Sequence, residues 1–177
     1  MHTTVNKFFK LIVAVSLTLG LTSCLKDDEH FVDFASAGYV AEIPYVANRS
    51  IIHATDSLNK TSSTAYVFPV DINIASPNPP TTDMQIGVAL DQAALTAYNA
   101  ANKKSYQVLP TTAFQLTNPT ITVAAGSRIA TVNISIQPNL VPTAGGPFAI
   151  PVSITTVPRN VVISANYHTE IITVPVK

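Results

Sequence analysis

The 177 residues include ten Lys or Arg and ten Asp or Glu, giving a formal charge of zero, and only 11% of the chain is charged. A nucleic-acid binder is expected to carry a basic stripe, and Lys103-Lys104 is the one basic pair after residue 30, so DNA and RNA are not expected partners. Cys24 is the only cysteine, which excludes a disulfide within the chain and leaves the fold to packing alone.

The chain opens with Lys7 and Lys10, followed by an apolar run over 11–21 softened by Ser16, Thr18 and Gly20. That is the charged start and short hydrophobic region of a secretory signal. As a helix the run would span about 16 Å at roughly 1.5 Å per residue, against the roughly 30 Å of a bilayer core. A removed signal over residues 1–23 is therefore expected rather than a permanent span. Leu21-Thr22-Ser23-Cys24 resembles the bacterial lipobox. The resemblance implies a diacylglycerol on the Cys24 thiol, cleavage before it, and acylation of the new amine. Anchoring would follow, because each buried methylene contributes about 0.8 kcal/mol and two or more chains hold stably. Leu25-Lys26-Asp27-Asp28-Glu29 resembles the lysine-plus-acidic export tag of Bacteroidetes surface lipoproteins. In that case Lys26, Asp27, Asp28 and Glu29 would route the protein to the outer face of the outer membrane. Residues 24–36 read as the lipidated cysteine and a charged tether, and 37–177 as a single domain.

That domain reads as β. Val, Ile and Thr abound, strong helix formers are sparse, and prolines punctuate throughout. A first strand is expected over 39–46, interrupted by Pro44, and a weak one over 50–54, followed by a polar loop over 56–63. Tyr66, Phe68, Val70, Ile72 and Ile74 then fall on one face of a strand with Asp71 and Asn73 on the other, the period of two that marks a half-buried strand. Met84, Ile86, Val88 and Leu90 alternate again. Over 91–102 the pattern breaks into a short helix, with Asp91 as N-cap and Leu95 and Tyr98 on one face. Short strands follow over 106–109, 114–116 and 121–123, and a turn at Ala125-Gly126. Two further alternating strands run through Ala130–Ile136 and Phe148–Ile154 on either side of Gly145-Gly146-Pro147, and strands over 161–164 and 167–176 end the series. Seven to nine short strands at near-regular spacing predict an immunoglobulin-like antiparallel β-sandwich with one short helix. A closed barrel is the alternative.

The ordered series VALDQAALTAYNAANKKSYQVLPTTAFQL, TITVAAG and PFAIPVSI over 88–154 resembles a Bacteroidetes family of surface lipoproteins. The family is built on an immunoglobulin-like N-terminal domain of unknown function, often ahead of carbohydrate-binding, laminin-G-like or glycosidase domains. The positions that carry the likeness include Asp91, Leu95, Tyr98, Asn99, Tyr106 and Pro151. This chain ends at Lys177, directly after the expected sandwich, so the resemblance implies a surface module for polysaccharide capture or adhesion without inherited catalytic residues.

The chemistry agrees with a non-enzymatic module. Glycoside hydrolysis needs two carboxylates flanking the bond, whereas Asp33, Glu42, Asp56, Asp71, Asp83, Asp91 and Glu170 are scattered, most of them expected on loops or outward faces. His53 and His168 read as solitary, so no metal site is expected. No nucleophile elbow and no phosphate-cradling glycine loop occurs, and no cofactor is expected. Sugar binding needs exposed aromatic faces. Tryptophan is absent, Tyr98 and Tyr106 are expected to pack the helix, and Tyr39 and Tyr45 are the freer candidates for ligand contact. Asp56-Ser57-Leu58 matches the short pattern used for O-glycosylation in Bacteroidetes, which nominates Ser57. The expected function is a cell-surface lipoprotein, held by membrane lipid through Cys24, that contacts a polysaccharide. The alternative is a structural accessory subunit docked by a sheet edge to another outer-membrane lipoprotein.

Overall fold

The computed structural model describes residues 38–177. One sheet is formed by β1 (Tyr39–Glu42), β3 (Tyr66–Ala75), β6 (Phe114–Thr117), β8 (Ile129–Ile136) and β10 (Val161–Ile163), in the order β10-β1-β3-β8-β6. The second is formed by β2 (Ile52–Ala54), β4 (Met84–Leu90), β7 (Thr120–Val123), β9 (Phe148–Thr156) and β11 (Thr169–Thr173), in the order β2-β11-β9-β4-β7, with β5 (Gln107–Val108) added to β9. We call them sheets A and B. The expected β-sandwich is present. Its pairing is mixed rather than antiparallel throughout, since β1 with β10, β2 with β11 and β5 with β9 run parallel.

The alternating faces explain why the sheets stack. Phe68, Val70, Ile72 and Ile74 of β3 are buried between exposed Val67, Pro69 and Asp71, and Val132, Ile134 and Ile136 of β8 alternate in the same way. Met84, Ile86 and Val88 of β4 join them from the opposite sheet in one core. Each such side chain contributes about 1.5–3 kcal/mol by leaving water. Leu90, expected inward, is 39% exposed, because β4 ends there and hands over to a helix. At the β4–β9 pairing the register shifts between Gly87 and Val88, and a Cβ on Gly87 would collide with Thr156 Oγ1. Only glycine allows that close approach.

Among the described residues two α-helices are present where one was expected. The strand expected over 39–46 stops at Glu42, and α1 (Pro44–Asn48) follows, with the proline at its first turn. A proline is preorganised for that position, so Pro44 starts a helix here rather than interrupting a strand. The second, α2 (Gln92–Asn102), matches the expectation closely. Asp91 caps it by accepting from Ala94 N at 2.9 Å, and Lys103 ends it in the left-handed conformation at φ 52°. Asn99 then clamps the returning chain, donating to Tyr106 O at 2.7 Å and accepting from Tyr106 N at 3.2 Å.

Helix α2 crosses the outer face of sheet B. Leu95 sits with Ala149 of β9 and Ile171 of β11 in a second small core, flanked by Ile52, Tyr98 and Tyr106. For this reason β9 is buried at every residue from Phe148 to Ile154, and β11 is buried throughout. Pro151 tolerates that central position. Its carbonyl accepts from Asp91 N at 3.0 Å, so its missing N–H would point to the same side, into the gap after β5 pairs Ala149 and before β4 pairs Val152.

Candidate functional site

The alanines of α2 shape a concavity. Ala94 and Ala97 leave space between the helix and the turn that precedes β11, and the result is a groove of about 680 Å³. Tyr98 and Asn102 border it from the helix, and Asn166 and His168 from the facing turn. Its size falls within the range of small-ligand sites. Asp91 and Thr169 also line it, as end residues of α2's cap and of β11.

These two residues belong to a hydrogen-bonded chain. Asp91 Oδ2 accepts from Ser153 Oγ at 2.8 Å, while its Oδ1 caps the helix. Ser153 Oγ lies 2.6 Å from Thr169 Oγ1, and both residues are buried. His168 Nδ1 is 2.7 Å from Ser164 O, and Asn102 Nδ2 donates to Tyr98 O at 3.0 Å. Asp91 is the only carboxylate among the groove's lining residues, and no Lys or Arg lines it.

A second polar cluster lies between the sheets. Glu170 is 1% exposed and meets His53 Nδ1 at 2.5 Å. The His53 ring stacks on Tyr45 with centroids 3.5 Å apart and meets the Phe68 edge at 4.6 Å. Burial pushes the Glu170 carboxyl up to about 7, and the Asp71 charge adds to the rise. Burial also lowers His53, helped by the Arg49 charge. In weakly acidic solution, below about 7, burial thus favours an uncharged pair that shares a proton between Oε1 and Nδ1. This corrects two expectations: His53 is not solitary, and Glu170 is not on a loop or outward face. The inward side of β11 carries it, and 117 residues of sequence separate the partners.

Of the nominated contacts, Tyr39 is half-buried on β1 and packs on the main core. Tyr45, on α1, has one ring face covered by His53. Neither lines the groove. Ser57 is exposed between β2 and Leu58, which bridges to Val176. Cys24, Lys26, Asp27, Asp28 and Glu29 lie outside the described residues. Among the described residues no three His, Cys, Asp or Glu side chains gather as a metal site. No binding role was expected from the sequence for the groove residues Asn102, Asn166 and His168. The available signal was the run of alanines on one side of α2, because a helix that packs by alanine leaves room beside it.

A family model described as a "-like, N-terminal domain" matches residues 38–161, well over half of the chain. No curated protein matches. Among solved structures, a candidate carbohydrate-binding protein from Bacteroides ovatus ATCC 8483 is similar with a TM-score of 0.59 at 10% identity, over 76% of this chain and 36% of that one. A multidomain protein including DUF1735, also from Bacteroides ovatus, has a TM-score of 0.59 at 14% identity, over 80% and 46% of the two chains. EndoBT-3987 of Bacteroides thetaiotamicron, solved with Man5GlcNAc product, has a TM-score of 0.56 at 18% identity, over 77% and 30%. The chain thus spans a third to a half of the length of these structures, and the likeness is one of fold.

Proposed function

Since the chain belongs to the family of that N-terminal domain, we propose that it is a non-enzymatic surface module that binds glycan in the groove beside α2. The observation that carries this reading is the groove's make-up: a tyrosine, two amide side chains and an imidazole around an alanine-lined floor. Sugars present apolar ring faces and hydroxyl edges, and such a mixture suits both. The fold shared with a candidate carbohydrate-binding protein supports it. A lone carboxylate in the groove argues for binding rather than hydrolysis, which needs a pair. The proposal includes the address: acyl chains on Cys24 as the membrane anchor, and Lys26, Asp27, Asp28 and Glu29 as the signal for outward display.

The test is a titration of the purified full chain against a panel of oligosaccharides, with an Asn102→Ala, Asn166→Ala double variant as control. Binding that weakens at least tenfold in the double variant is expected. Binding that the double variant retains in full places the site elsewhere. The accessory-subunit reading has one observation in its favour: edge strand β10 leaves Val162 66% exposed. Capture of one defined outer-membrane lipoprotein, lost in Val162→Lys, with no oligosaccharide bound, would replace the glycan reading with that one.

A further inference from the structure

The hydrogen bonds that link Asp91 to Thr169 have a forced direction. Asp91 as a carboxylate only accepts, and it does so from Ala94 N through Oδ1 and from Ser153 through Oδ2. The single hydroxyl proton of Ser153 is thereby committed to Asp91. Toward Thr169 Oγ1, 2.6 Å away, Ser153 can only accept. Thr169 must therefore turn its own proton inward, and its oxygen keeps only lone-pair capacity. The same reasoning applies to His168. Its Nδ1 lies 2.7 Å from the carbonyl oxygen of Ser164, which only accepts. The proton therefore sits on Nδ1, and in the uncharged ring Nε2 is an acceptor. Asn102, also in the lining, donates one amide hydrogen to Tyr98 O and keeps a second, with its Oδ1 as an acceptor.

We propose that this groove, with an acceptor wall at Thr169 and His168 and no Lys or Arg in its lining, is selective for uncharged saccharides that bring hydroxyl donors over acidic ones. The proposal rests on the glycan-binding reading and adds the ligand's charge class. A sugar hydroxyl can donate to Thr169, His168 and Asn102. A uronate carboxylate or a sulfate ester has only acceptors to offer. It would meet the lone pairs of Thr169 and His168, with Asp91 nearby, no Lys or Arg lining the groove, and only the neutral amides of Asn102 and Asn166 and the Tyr98 hydroxyl to donate to it.

Asp91 is here a positioning residue, because it sets the direction of the chain. Asp91→Asn keeps an oxygen to cap Ala94 N and places an amide donor on Ser153. Ser153, no longer committed to Asp91, is then free to donate to Thr169, which releases the Thr169 proton toward the groove. The experiment measures binding of neutral gluco-, manno- and galacto-oligosaccharides and of an oligogalacturonide to the full chain, wild type and Asp91→Asn. Nitrogen-15 NMR of the His168 ring is recorded alongside. A neutral oligosaccharide is expected to bind at least tenfold more tightly than the oligogalacturonide, and the ratio is expected to fall at least fivefold in Asp91→Asn. The His168 ring is expected to carry its proton on Nδ1. An oligogalacturonide that binds wild type as tightly as any neutral sugar overturns the selectivity, as does a ratio unchanged in Asp91→Asn. If no saccharide binds, the glycan reading itself fails. The ring spectrum still decides the wall, since a proton on Nε2 would show that His168 donates into the groove.

Discussion

The outer faces of the two sheets follow different rules. On sheet A, β3 and β8 show their polar alternates to water: Asp71, Thr131 and Asn133 are exposed between buried neighbours. On sheet B, the corresponding positions of β9 and β11 lie under α2 and are buried. A strand's sequence therefore reports what covers each of its faces rather than which sheet it joins. The bare face needs only one apolar stripe per strand, whereas the covered face requires small or apolar residues at every position, as Ala149, Ser153 and Ile171 show. The covered face also supplies the groove, since helix, turn and strand meet only there.

Aspartate substitution tests the contrast with the largest expected effect. Val132→Asp, between the sheets, and Ile171→Asp, beneath α2, should each cost more than about 4 kcal/mol and prevent folding. Thr131→Asp, on the bare face opposite Asp71, should cost under about 1 kcal/mol. Urea unfolding followed by far-UV circular dichroism decides this, and a folded Ile171→Asp protein would mean that sheet B is not covered. Leu95→Ala comes next: emptying the contact between α2 and the sheet should cost about 2–4 kcal/mol while leaving the bare face intact. A loss under about 1 kcal/mol would show that α2 rests on its caps alone.

The interior between the sheets titrates. Glu170 is raised from 4.5 to about 7 in the folded protein, so between these values the folded state binds a proton that the unfolded state has released. Stability from this group is full below 4.5 and is lost as pH rises toward 7, by as much as about 3 kcal/mol. His53 acts oppositely, because its lowered value makes the unfolded state the better proton binder below 6.5. The two offset in weakly acidic solution, so the net loss is expected between pH 6.5 and about 7, with a plateau above it. Unfolding midpoints from pH 5 to 9 should show that loss. Glu170→Gln, whose amide can donate to His53, should remove it, and an unchanged profile in the variant would assign the loss to another group. A loss smaller than that of Leu95→Ala is expected from Asp91→Ala, which removes the cap of α2 and the acceptor of Ser153, at about 1–2 kcal/mol in the same urea assay.

Local periodicity made much of this fold readable. Strands β3, β4 and β8 were legible because each has one wet face, and α2 because Asp91 and the alanine-rich run agree on a capped helix. The segment over 39–46 misled because Tyr45 and Val46 favour strands while Pro44 favours a helix start, and tertiary packing of Val46 decided for the helix. The double burial of β9 is not local information, as it depends on a helix about fifty residues earlier. The site was less legible still. Asp91, Ser153 and His168 meet only through the sheet, and the partnership of His53 with Glu170 spans most of the domain. Tyr45 read as a free aromatic because nothing in its neighbourhood of sequence announces that His53 will cover its face.

The parallel edge pairings carry a consequence for the order in which the domain can form. Residues 39–41 pair with 161–163, and 52–54 pair with 171–173, so in each sheet an N-terminal strand waits for the last part of the chain. While the chain is incomplete, β1 has β3 as its one neighbour, and β2 has none within its sheet. Distant pairings of this kind bring slow closure, because the long loop must be ordered before its contacts form. Assembly should therefore run from the middle outward, beginning with β3 and β8, and finish by zipping both edges at once when residues 161–173 arrive.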